Sequence, residues 1–293
     1  MRVALGIACA IVISWVLSTG IVAWMLTHRH AAIAPERFAL PAGASQERLV
    51  AKDGIELGAW VTRTDQPDRP CALLVHGNGG SRSDMIAIYQ RLVSDGFCVM
   101  AITVRAHGDS GGETNDFGYS AAADVEAGVA FLEKVAADRQ IIVMGRSLGA
   151  AAAIYSAKGL GERVDGYFLE QPYKDIDSAT LNRVHMFAGN YLGAAGYGSL
   201  LLWAKLLIDV PIEELSPAVH ARDIPPKIPV VIITGTADRH ATLEDVRAVY
   251  ESVRSHGLLI EVHGATHVPL DGYAPVQFYT AVTALQGMMA ERE

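Results

Sequence analysis

Gly145-Arg146-Ser147-Leu148-Gly149 sets a serine between two glycines in the spacing G-x-S-x-G. The β-branched run Ile141-Ile142-Val143 precedes it, and Ala150 to Ala153 opens a helical stretch after it. This is the strand, sharp turn and helix setting of a nucleophile elbow, which exposes a serine hydroxyl at the top of a sheet. Such a turn forces the serine into a strained backbone region, and Gly145 and Gly149 relieve the crowding around it. A glycine-bracketed turn without chemistry is the competing reading. A second Gly-rich loop, His76-Gly77-Asn78-Gly79-Gly80, follows the apolar run Ala72 to Val75. Its backbone N–H groups could hold an anion. A phosphate loop would carry GxxxxGK[ST], which is absent here. The loop therefore reads as half of an oxyanion hole. The N–H of Asn78 would act with that of Leu148 on the negative oxygen of a tetrahedral intermediate. His76 itself is expected to be structural.

These loops need a sheet to carry them. Strands are expected at 48–52, 57–62, 71–76, 98–104, 141–145, 166–169, 230–235 and 259–263. Runs such as Val230-Val231-Ile232-Ile233 are continuously apolar, as strands buried on both faces of a parallel sheet must be. Helices are expected at 82–95, 121–137, 148–157, 243–256 and 274–289. Strand-helix-strand alternation implies an α/β class with right-handed crossovers. From about Pro172 to His220 the alternation stops. Glycines 189, 193, 196 and 198 and the run Leu200-Leu201-Leu202-Trp203 stand there instead. This stretch reads as a cap inserted over the C-terminal edge of the sheet. The apolar run includes Lys205 and is too short to span a bilayer.

The 293 residues suffice for one large α/β domain. With 24 Lys+Arg against 32 Asp+Glu, the net charge of −8 argues against a nucleic-acid partner, which needs a basic face. A content of 51% hydrophobic and 19% charged residues excludes a disordered chain. Three cysteines exclude a disulfide scaffold, and Cys71 and Cys98 read as buried thiols. Neither CxxC nor HExxH occurs, so no metal is expected.

Val3 to Leu26 carries no charge and, as a helix of about 36 Å, could cross a hydrocarbon core. Residues 1–30 thus read as an N-terminal membrane anchor and 31–46 as a linker. The rival is a cleaved signal peptide. Its apolar region would be shorter, and Pro35 after Ala32-Ile33-Ala34 makes a poor cleavage site. Arg2 before the span and Arg29 and Arg37 after it give almost no positive-inside bias. The catalytic part is expected outside the cytoplasm.

The two loops together resemble the α/β-hydrolase fold, and within it the serine-aminopeptidase-like and monoacylglycerol-lipase-like branch. Arg105-Ala106-His107-Gly108-Asp109-Ser110 is similar to the family's R-G-H-G-x-S loop. Here Ala106 replaces its first glycine, and Thr103 its usual Asp two residues before the Arg. The stretch ending Thr234-Gly235-Thr236-Ala237-Asp238 resembles the acid loop after the seventh strand. Gly264-Ala265-Thr266-His267 resembles the histidine loop. The likeness runs from about Glu47 to the end and is sparse only in the cap. It implies a mostly parallel eight-stranded sheet flanked by helices, over 47–293. It also implies a triad of Ser147, Asp238 and His267 in the fold's chain order. Glu170, after the sixth strand, is the alternative acid. His240 sits on the loop of Asp238 and is poorly placed for the serine. His263, His185 and His220 are expected at packing or surface positions.

The resulting expectation is a membrane-anchored serine hydrolase that cleaves a carboxylic ester without a cofactor. Thioester and amide cleavage stay open, since the same triad serves all three. Its partners would be a small ester or acyl substrate and the lipid bilayer through residues 3–26. Leu200 to Trp203 would either line an acyl pocket or pack the cap. The alternative is a non-catalytic binding protein on the same fold, because fold does not establish function. Serine rather than aspartate at the elbow argues against dehalogenase chemistry. A chain starting near Glu47 is expected to be soluble and to keep esterase activity, because the triad and its sheet lie beyond the anchor.

Overall fold

The computed structural model describes residues 2–29 and 39–291. Most of the linker reading and the Ala32–Ala34 cleavage site lie outside the described residues. The chain opens with α1 (Arg2–Thr27), then β1 (Ser45–Val50), β2 (Glu56–Thr62) and β3 (Cys71–Val75). Next come α2 (Ile86–Ser94), β4 (Cys98–Ile102), α3 (Ala122–Val135), β5 (Ile141–Arg146), α4 (Leu148–Leu160) and β6 (Gly166–Glu170). The segment up to the next strand is helical: α5 (Ile176–Leu207) and the short α6 (Pro217–His220). The alternation then resumes with β7 (Val230–Gly235), α7 (Leu243–Val253), β8 (Gly257–Val262), α8 (Leu270–Tyr273) and α9 (Pro275–Ala290).

The sheet order is β1-β2-β4-β3-β5-β6-β7-β8. β2 runs antiparallel to both β1 and β4, and all the other pairs are parallel. The period of two along each strand divides the core between two faces. Cys71, Leu73 and Val75 of β3 face α3, α4 and α7. Ala72 and Leu74 face α2 and α9. Both faces are covered, so the parallel strands are apolar throughout. Cys71 and Cys98 are direct cross-strand neighbours, and both thiols are buried.

All eight expected strands form, with β1 starting at Ser45 rather than Arg48. Residues 176–207 form one long helical stretch, broken by Gly189 at φ +66°, ψ 178°. α1 lies against this stretch. A Cβ at Gly20 would fall 2.8 Å from the Trp203 ring, and Trp203 Nε1 donates to Val16 O at 3.1 Å. The rest of α1 leaves large apolar side chains such as Val3, Ile11 and Leu17 exposed. By length and composition this helix could cross a membrane. Its C-terminal end is latched to the loop after β4. His28 bridges Thr114, Asn115 N donates to Thr27 O at 2.8 Å, and Arg29 N donates to Glu113 O at 2.9 Å. The Arg29 guanidinium also donates to the carbonyls of Gly108, Ser110, Gly111 and Gly112.

Candidate active site

Loops at the C-terminal ends of β3, β5, β7 and β8 converge, where parallel α/β sheets open their crevices. Ser147 joins β5 to α4 at φ +52°, ψ −112°, a left-handed conformation that costs a non-glycine residue energy. The flanking glycines are steric necessities. A Cβ on Gly145 would fall 2.3 Å from Gly149 O, and one on Gly149 2.2 Å from Val75 O. Ser147 N donates to Glu170 O at 2.8 Å and fixes the elbow to β6. Leu148 opens α4, so its N–H is one of the donors that the helix itself leaves unmatched.

His267 Nδ1 donates to Asp238 Oδ2 at 2.6 Å, and Ser147 Oγ lies 3.1 Å from His267 Nε2. Asp238 is buried, and its Oδ1 accepts from His240 N at 2.8 Å and Ala241 N at 3.1 Å. These bonds leave Oδ2 for the imidazole. The imidazole thus presents an unprotonated Nε2 to the serine hydroxyl, the arrangement needed to take up its proton.

Glu170 is not part of this chain. Its carboxylate accepts from Arg146 Nε at 2.8 Å and from Leu270 N at 2.7 Å. Burial pushes Glu170 above the usual carboxylate range, against the pull of Arg146. Arg146 Nη2 reaches on to Asp271 at 2.6 Å. Arg146, Glu170 and Asp271 therefore clamp the segment after His267 to the elbow. Gln171 adds to the clamp, its Nε2 donating to Thr266 O at 2.7 Å. Sequence reasoning passes over Arg146, Gln171 and Asp271. The one available signal is an arginine at the variable position of G-x-S-x-G, at the end of a strand apolar enough to be buried.

His76 is fully buried. Its Nδ1 donates to Gly77 O at 2.7 Å, and its Nε2 accepts from Val104 N at 3.1 Å. Burial, with His107 nearby, pulls it down to about 3, so it is a neutral strut beneath the loop of Asn78. His240 packs against His267 with ring centroids 4.9 Å apart and the rings tilted by 35°. The burial of His240, with His267 beside it, lowers its pKa. His220 packs its ring against Tyr119 and Tyr155, and His263 is exposed just past β8. Asp238, His240 and His267 offer ligand atoms within 4.8 Å of one another, and within this group Asp238 and His267 are hydrogen-bonded to each other.

Gly80 N donates to Gly77 O at 3.2 Å, closing a turn with Gly79 at φ +73° and Asn78 at its first inner corner. Asn78 Oδ1 accepts from Asn115 Nδ2 at 2.7 Å. Asn78, Ser147 and Leu148 all border one cavity of about 360 Å³. α5 lines it with Ile176, Arg183, Val184 and Leu200. α1 lines it with Trp15, Ser18, Thr19, Val22 and Leu26. Part of the cavity wall thus comes from residues before Glu47. Within Leu200–Trp203 the outcome divides: Leu200 borders the cavity, Trp203 packs on α1, and Leu202 is exposed.

A family model described as the alpha/beta hydrolase family matches residues 72–281. An uncharacterized membrane protein of Saccharomyces cerevisiae is 28% identical over 130 residues, covering 44% of this chain and 45% of that protein. Lysophosphatidylserine lipase ABHD12 of Danio rerio is 28% identical over 176 residues, covering 58% of this chain and 44% of that protein. Each match spans less than half of the relative's own length. The Pyrococcus furiosus esterase Pf2001 superposes with a TM-score of 0.69 at 22% identity, covering 87% of this chain and 97% of that one. That likeness is one of fold.

Proposed function

The chain belongs to the alpha/beta hydrolase family, and from that premise we propose that it is a membrane-anchored serine hydrolase of acyl esters. The observation that carries the reading is the hydrogen-bond chain Asp238–His267–Ser147, with the serine strained at φ +52° and bordering the cavity. In the proposed reaction His267 Nε2 takes the Ser147 proton as Oγ attacks the ester carbonyl. The N–H groups of Asn78 and Leu148 receive the oxyanion. The intermediate collapses, His267 returns the proton to the leaving alcohol, and an acyl ester remains on Ser147. Water, deprotonated by His267, then attacks that ester and releases the acid and the free serine. Asp238 holds the imidazole tautomer and stabilises the imidazolium.

α1 fits an anchor because its apolar side chains face outward along a length that could cross a bilayer. α5 and its flanks would act as the cap. The seam between α1 and α5 would take an acyl chain, which places hydrolysis at the membrane surface. The zebrafish relative, named as a lysophosphatidylserine lipase, supports an amphiphilic ester as substrate.

Fluorophosphonate labelling of the detergent-solubilised full chain, followed by a p-nitrophenyl ester series of rising chain length, tests the reading. Labelling at Ser147 and turnover are expected. A folded protein that binds acyl ligands but neither labels nor turns over would be the binding-protein alternative. Resistance to carbonate washing, with residues 1–26 present in the mature chain by mass spectrometry, is expected of an anchor. A mature chain beginning near Ala34 or Pro35 would instead mark a cleaved signal.

A further inference from the structure

Three buried arginines of this protein are each met by a carboxylate. Arg82 is fully buried and meets Asp109 at 2.6 Å. Arg105 meets Asp53 and Asp124, and Arg146 meets Glu170 and Asp271. A guanidinium removed from water needs such a partner, because an uncompensated buried charge is costly. Arg183 is not met in this way; half-buried Arg29 and Arg139 also bond only to backbone carbonyls among the described residues, but they do not line the cavity. Arg183 is half-buried and borders the same cavity as Ser147. Its guanidinium donates through Nη1 to Ala179 O at 2.8 Å, a carbonyl one turn back on its own helix. Among the described residues it makes no ion pair. Burial lowers its pKa below the ordinary arginine value, and the attraction of Asp238 does not restore it. Asp238 is already engaged by His267, His240 and Ala241.

Arg183 also lies on the face of α5 that borders the cavity. Ile176, Ala179, Thr180, Arg183 and Val184 follow the i, i+3, i+4, i+7, i+8 spacing of one helix face, and all five line it. Across the cavity α1 contributes the apolar Trp15, Val22 and Leu26 together with the small hydroxyl residues Ser18 and Thr19. The space therefore combines a wall suited to a chain with one positive charge that lacks a counter-ion.

We propose that Arg183 is an anion subsite, so that the preferred substrate is a single-chain acyl ester whose alcohol part carries a phosphate or carboxylate. This rests on the hydrolase reading for the word substrate, but the subsite can be tested by binding alone. A planar guanidinium engages either oxyanion through paired N–H donors. The acyl chain would lie along α1 and α5, and the anionic alcohol would face Arg183.

The test uses the full chain in neutral detergent and non-hydrolysable ethers read through tryptophan fluorescence, since Trp15 borders the cavity. The probes are 1-O-hexadecylglycerol, its 3-phosphate, and the hexadecyl ether of glyceric acid. The native chain is expected to bind one or both anionic ethers at least about tenfold more tightly than the neutral one. Arg183→Gln should abolish that ratio, and Arg183→Lys should retain part of it. The phosphate and carboxylate arms distinguish the two chemistries. Equal affinity for all three ethers in the native chain, or an unchanged ratio in Arg183→Gln, would overturn the proposal. The matching acyl esters separate the two claims. Binding preference without turnover sinks the hydrolase reading and keeps the subsite. Turnover without preference does the reverse.

Discussion

Single residues carry the chemistry through geometry that each can be tested on. Ser147→Ala removes the proposed nucleophile and should eliminate labelling, with turnover falling about 10⁶-fold. Asp238 and Glu170 are both carboxylates in the site region, but only Asp238 touches the imidazole. Asp238→Asn should lower kcat about 10⁴-fold by holding the wrong tautomer. Glu170→Gln should cost far less in kcat and show mainly in a thermal melt. It takes a carboxylate from buried Arg146, a loss of about 3 kcal/mol. The reverse ranking of kcat losses would move the acid to Glu170. Ala106 offers a test of strain. It holds φ +58°, where its family's loop has glycine. Ala106→Gly should raise stability by about 0.5–1 kcal/mol, read as a higher urea midpoint, because the left-handed penalty exceeds the added chain entropy.

At the scale of elements, the relation between α1 and α5 decides what the site can hold. Gly20 lets the two helices close on Trp203, and Arg29 latches the end of α1 to the carbonyls at 108–112. Removing residues 1–38 should release the protein from membranes. It should also lower the ratio of long-chain to short-chain kcat/KM at least about tenfold, because one wall of the cavity leaves with α1 and apolar burial falls. Gly20→Leu separates the two effects. Its Cβ would already lie 2.8 Å from the Trp203 ring, so α1 should shift while staying long and apolar enough to cross a membrane. Membrane association should persist and the chain-length ratio should still drop. An unchanged ratio in both variants would show that α1 does not shape the site.

The whole molecule folds around buried groups whose protonation sets its tolerance of acid. His76 falls to about 3 in the folded protein through burial, from an ordinary value of 6.5. Between about pH 3 and 6.5 the unfolded chain binds a proton that the native state refuses. The contribution of His76 is therefore full above pH 6.5 and is lost as the pH falls, reaching about 5 kcal/mol near pH 3. Denaturant midpoints of the full chain should decline from pH 7 to 4, and His76→Gln should flatten that decline by one proton. An unaltered slope would mean that His76 is not the group excluded from protonation. The sheet that buries His76 is legible in the residues. Continuous apolar runs, glycine spacing at the elbow and the loops of Asp238 and His267 are local patterns, and a parallel sheet brings consecutive loops to one edge by its topology alone. The sequence by itself determines that much: the strands, their class and the positions of the chemistry-bearing side chains. The packing of α1 on α5, the clamp built from Arg146, Glu170 and Asp271, and the exposure of Arg183 to the cavity are decided only in three dimensions. Each joins residues far apart in the chain, and contacts of that kind leave no period or spacing for a sequence to display.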